Sequence, residues 1–197
     1  MTSDEPSAAE ALAGMQRAEQ RSGELYAYVV AAPYLFVVGL TWLAADLLYA
    51  LAPAAREWAW PGAASLGAVA NIAVAIGQSR SRARGAQAAG GDTGQPLDAS
   101  FWRAMTLWLI LAGFVSATLF VFAPFSGVQV HSIVGLAFGS ACSAAGLWLG
   151  KRILATGLGI AALTIIGHAF LRDVYTLYMG VVGGGGIMLA AWWLRKV

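Results

Sequence analysis

Long apolar stretches alternate with short polar gaps along the whole chain. Six stretches stand out, over residues 26–51, 58–77, 101–122, 128–149, 153–171 and 174–194. Each is near the ~20 residues that a helix needs to cross a bilayer. Period-2 alternation is absent, and the stretches are far longer than barrel strands. Backbone amides in lipid must be paired within the segment, so the pattern predicts helices. The predicted fold is an all-α bundle of six transmembrane helices. Before it lies a cytoplasmic tail, 1–24, which Ser7 would cap as a short helix through Gln20 or which stays disordered. Residues 78–100, with Arg80, Arg82, Arg84 and Pro96, read as one long mobile cytoplasmic loop. Pro33 should bend the first helix or delay its start.

The cations give the orientation. Arg17, Arg21, Arg80, Arg82, Arg84, Arg103, Lys151, Arg152, Arg195 and Lys196 fall in the tails and the even gaps, and only Arg56 and Arg172 in the odd gaps. Short loops rich in Lys and Arg stay in the cytoplasm, which predicts that both termini lie there. Trp58, Trp60 and Pro61 look like an outer interfacial belt. Composition agrees. Hydrophobic residues make up 59% and charged residues 11% of the chain, against about 25% charged in a soluble domain. A net charge of +2, spread over membrane edges, does not suit nucleic acid. Residues 1–24 hold no apolar core, so a cleavable signal peptide is not expected. The single cysteine, Cys142, excludes an intrachain disulfide.

Glycines mark packing faces. Gly135, Gly139 and Ser143 stand four apart, and Gly146 and Gly150 repeat the step. Such spacing lets helix backbones approach closely. In the sixth stretch Gly180 precedes the run Gly183, Gly184, Gly185 and Gly186. That run predicts either a helix pressed against a close neighbour or one locally unwound, as in transporters with broken helices.

Ionisable groups at membrane depth are costly and mark functional sites by default. His131 lies 20 residues before Lys151, and His168 lies 16 after Arg152. Both therefore reach the outer third of the membrane, roughly 24–30 Å above one inner turn. Asp46 falls at a similar level, with Arg172 and Asp173 just above. These five residues form the candidate outer polar pocket, suited to sensing external pH or contacting a small cation. The alternative is separate interfacial histidines bonded to backbone or water. A bis-histidine haem would want deeper, directly opposed ligands, and a metal would need Asp46 as third ligand, so neither cofactor nor metal is expected. Asn71 reads as an interhelical hydrogen bond.

No catalytic set emerges. Gly139-Ser140 in the fourth span and the later His168 invite comparison with rhomboid-type intramembrane proteases, but Ala141 and Cys142 follow Ser140 where Gly-x-Ser-Gly is required, and Ser140 lies deeper than His168. The runs Gly146-Leu147-Trp148-Leu149-Gly150-Lys151-Arg152 and Tyr178-Met179-Gly180-Val181-Val182-Gly183-Gly184, with Trp193-Leu194-Arg195 at the close, are membrane-edge and packing patterns. On these the second half resembles a group of small bacterial inner-membrane proteins of uncharacterised role. The resemblance covers about half the chain and implies six helices without an assigned activity. Two functions follow as expectations. One is a non-enzymatic regulatory or accessory subunit, meeting a protein partner through the tail and the 78–100 loop. The other is a small transporter or channel using the outer pocket and a broken sixth helix.

Overall fold

The computed structural model describes residues 8–88, 99–122 and 126–196. Their regular structure is helical throughout, without a strand among the described residues. Helix α1 spans Ala8–Leu51, α2 Arg56–Ala88, α3 Ala99–Val121, α4 Gly127–Leu149 and α5 Lys151–Phe170. A sixth rod joins α6, Tyr175–Tyr178, through a π-helical turn at Met179–Gly184, to α7, Gly185–Arg195. Five segments are long and apolar enough to cross a membrane, namely Leu12–Leu51, Pro53–Ser81, Gly127–Leu149, Lys151–Phe170 and Arg172–Arg195. Helix α3 contributes a shorter apolar run, Leu109–Thr118.

Two expectations change. The tail is not separate from the first span, because α1 runs unbroken from Ala8 for 44 residues. Its first turns hold Ala, Glu, Leu, Met, Gln and Arg, all strong helix formers. Similarly, 78–88 is the end of α2 rather than loop, since Arg, Ala and Gln extend the helix with no proline to stop it. Ser7, residues 89–98 and Ala123-Pro124 lie outside the described residues. Pro33 neither delays nor ends α1. Gln78 of α2 donates Nε2–H to the Val30 carbonyl at 3.1 Å in the turn before it.

The glycine run takes the packed one of its two predicted forms. The sixth rod is not unwound. Tyr178, Gly184 and Gly185 all keep right-handed helical dihedrals, with Gly183 and Gly184 in the π turn and Gly185 and Gly186 opening α7. Packing explains why. A Cβ on Gly184 would come within 2.8 Å of the Leu43 amide nitrogen and 2.9 Å of the Gly39 carbonyl, and one on Gly39 within 2.7 Å of the Gly184 carbonyl. The two backbones touch, which only glycine permits.

The other tight contact is the antiparallel α4–α5 hairpin. A Cβ on Gly139 would sit 2.9 Å from both Ala161 N and Gly157 O. The hairpin turns at Gly150, whose φ of +117° disfavours any residue with a Cβ. Tyr28 of α1 closes that turn, accepting the Arg152 backbone N–H at 3.3 Å. Helices α1, α4, α5 and the sixth rod share the core of Trp42, Phe138, Ile160, Met179 and Ile187. Helix α2 packs on α1, and α3 touches the bundle chiefly through α4.

Candidate functional site

The site is built where the end of α1 meets the starts of α2 and α4. Asp46 sits on α1, one turn after Trp42, and is fully buried. A capping box starts α4, with Ser126 N–H donating to Gln129 Oε1 at 2.8 Å and Gln129 N–H to Ser126 Oγ at 3.3 Å. His131 follows in the next turn. Its Nδ1 lies 2.8 Å from the Gly127 carbonyl and its Nε2 3.1 Å from Asp46 Oδ1. Trp60 of α2 donates Nε1–H to the same Oδ1 at 3.2 Å.

This geometry fixes protons. A carbonyl oxygen only accepts, so His131 Nδ1 carries hydrogen. The Nε2–Oδ1 contact then needs one further proton, held as imidazolium facing carboxylate or as carboxylic acid facing neutral imidazole. Either way the pair shares a single proton. Tryptophan rings enclose it, Trp60 lying edge-on to His131 at 5.1 Å and to Trp42 at 5.9 Å. Tyr49 covers the other side at 6.0 Å. Asp46 Oδ2 is buried without a hydrogen-bond partner, and so is Trp42 Nε1.

A second polar assembly starts from the next residue of α4, about 100° round the helix. Ser132 Oγ lies 2.8 Å from His168 Nδ1, 2.9 Å from Tyr175 OH and 2.7 Å from the Val128 carbonyl. One hydroxyl hydrogen serves these three contacts, so Ser132 donates once and accepts from its other partners. Tyr175 is buried and His168 half-buried. Ser132, itself only 6% exposed, presents no free hydroxyl to a substrate.

The predicted five-residue pocket is therefore two sites. Asp46 and His131 pair directly. His168 turns to Ser132 and Tyr175 instead. Arg172 is exposed and donates Nε–H to the His168 carbonyl at 3.0 Å, while Asp173 is exposed beside it and joins neither assembly. Asn71 does not make the interhelical bond expected through its carbonyl, for Asn71 Oδ1 is buried and unpartnered. Ser140 is exposed and does not meet His168. Among the described residues no three His, Cys, Asp or Glu side chains converge on one point that could hold a metal.

Of the packing glycines, Gly135 faces Thr164, Gly139 faces Ala161, Gly146 faces Leu154 and Gly150 faces Tyr28. Gly180 abuts the pair itself, since a Cβ there would fall 2.7 Å from Asp46 Cβ. Gly183 meets only the Met179 side chain, Gly186 only Leu163 at 3.7 Å, and Gly185 nothing within 4 Å. A groove of about 330 Å³ between α1, α2 and α4 borders the pair, lined by Val38, Thr41, Trp42, Trp60, Asn71 and Phe138 among others.

Sequence reading placed Trp60 in a belt and passed over Ser132 and Tyr175. The level argument used for the histidines would have found Ser132, which lies 19 residues before Lys151. Comparison with protein-family models, curated proteins and solved structures returned no match.

Proposed function

We propose that this is a six-span bacterial inner-membrane protein with cytoplasmic termini, of the kind its second half resembles, and that it works without catalysis as a proton-responsive accessory subunit. One observation carries the reading. Asp46 and His131 share a single proton in a buried place, and Asp46 keeps an unused oxygen. Adding or removing that proton changes charge where charge is most expensive. Gly180 lets the sixth rod lie against Asp46, and the π turn begins beside it. π turns occur frequently at functional sites. The charge change thus has an adjacent element whose turn can narrow or shift, the coupling a switch requires. The output runs to a protein partner at the cytoplasmic ends of α1 and α2.

Affinity purification of the full chain from native membranes tests the reading, at about pH 5.5 and about pH 8. A specific partner retained at one pH and not the other is expected, with the difference abolished in Asp46→Asn. A partner retained equally at both values would refute proton control. The groove beside the pair favours a second reading, a small transporter. In that case the chain would be recovered alone and stabilised thermally by its solute. Topology is tested separately after Cys142→Ser. Single cysteines at Ser81 and Ser126 should label from opposite sides of intact cells, and labelling of both from outside would overturn the six-span arrangement.

A further inference from the structure

The end of the bundle opposite the proton pair carries a cluster that the proposed function does not use. Lys151 and Arg152 open α5, and Arg195 and Lys196 close α7. The two ends meet, because Arg152 Nη1 donates to the Trp193 carbonyl at 3.1 Å and lies 3.5 Å from that of Lys196. The Arg152 guanidinium also stands over the rings of Trp193, at 4.9 Å, and Tyr28, at 5.8 Å. Arg152 is thereby pinned, its planar group stacked and bonded to backbone. Lys151, Arg195 and Lys196 are exposed. Lys196 Nζ lies 3.6 Å above the Trp192 ring. Among the described residues the only side-chain ion pair joins Asp46 and His131 at the far end, so these cations are unpaired. Trp192 and Trp193 are 53% and 40% exposed beside them.

We infer that this end of α5 and α7 is a binding site for the phosphodiester headgroup of an anionic phospholipid. Three exposed cations, none in an ion pair among the described residues, grouped on a pinned fourth create a local positive field. Nothing in the described chain neutralises it, and its place at the edge of two membrane-crossing segments meets lipid headgroups. Exposed indoles at the same level suit the headgroup–acyl boundary. Each Lys or Arg near an anionic surface strengthens binding about fivefold. A zwitterionic lipid carries its own cation and gains little from the cluster.

The test uses the full chain reconstituted in phosphatidylcholine bilayers. Brominated phosphatidylglycerol or brominated phosphatidylcholine is titrated in as a quencher of tryptophan fluorescence, and W192F/W193F isolates the signal of these two rings. Half-maximal quenching by phosphatidylglycerol is expected at a mole fraction roughly tenfold lower than by phosphatidylcholine. The preference should shrink at high salt and vanish in K151Q/R195Q/K196Q. The charge-retaining K151R/R195K/K196R should keep it, which separates lost charge from lost folding. Equal quenching by the two lipids, as expected if the cluster serves an acidic protein segment, would overturn the inference. So would a preference that survives in the glutamine variant, or one abolished by free inorganic phosphate, which would assign the site to a soluble anion.

Discussion

His131 and His168 sit at the same depth on adjacent helices, yet their surroundings give them different chemistry. His131 is buried, clamped between a carbonyl and a carboxylate beside the Trp60 ring. His168 meets a serine hydroxyl and a tyrosine, is half-buried, and has no carboxylate against its ring. The first arrangement stores a proton between two ionisable groups. The second gives the ring hydroxyl and aromatic neighbours only. Depth alone, then, does not make an intramembrane histidine a working group. What matters is whether a helix packed against it brings a second ionisable side chain, and here Asp46 goes to one histidine only.

The comparison breaks most visibly if His131 is removed. His131→Leu leaves a buried carboxyl with only Trp60, and removing one member of a buried pair costs about 3–5 kcal/mol. His168→Leu should cost about 1–2 kcal/mol, the scale of a lost neutral hydrogen bond with its partner left unpaired. Thermal unfolding in detergent ranks the two, and a variant at 168 that is the more damaged would reverse the account.

Packing around the pair comes next. Gly184→Leu forces a side chain into the backbone contact with Gly39 and Leu43, and overpacking of this kind costs about 1–3 kcal/mol. Gly185→Leu points into open space and should leave the unfolding midpoint nearly unchanged. Equal effects at 184 and 185 would remove the packing explanation for the π turn.

Smaller still is Ser132→Ala. It strands Tyr175 OH and His168 Nδ1 together at about 1–2 kcal/mol, while the pH response of partner retention stays intact. A lost pH response in Ser132→Ala would show that the two assemblies act as one.

The apolar stretches were legible because lipid demands them, and Asp46 and His131 were legible because an ionisable group among apolar neighbours stands out. Which groups meet was not. Helical spacing gives depth along an axis but not rotation about it, so Asp46 was equally compatible with either histidine. Rotation is set by the close approaches at Gly39–Gly184 and Gly139–Gly157. Gly184 and Gly139 were noticed, but Gly39 stands alone in its segment and Gly157 has no glycine four residues away, so neither carried a pattern. The extents of α1 and α2 were missed for another reason. Hydropathy ends at the membrane edge, whereas helix propensity continues into Ala8 and Ala88.

The central claim is that Asp46 shares a proton with His131 and does not interact with His168. Paired double-mutant cycles test it, Asp46→Asn with His131→Gln and Asp46→Asn with His168→Gln, read by thermal stability from about pH 5 to about pH 8. The account predicts a coupling above about 1 kcal/mol for the first pair, varying with pH, and additivity within about 0.5 kcal/mol for the second. Additivity at every pH for Asp46 with His131 would contradict it.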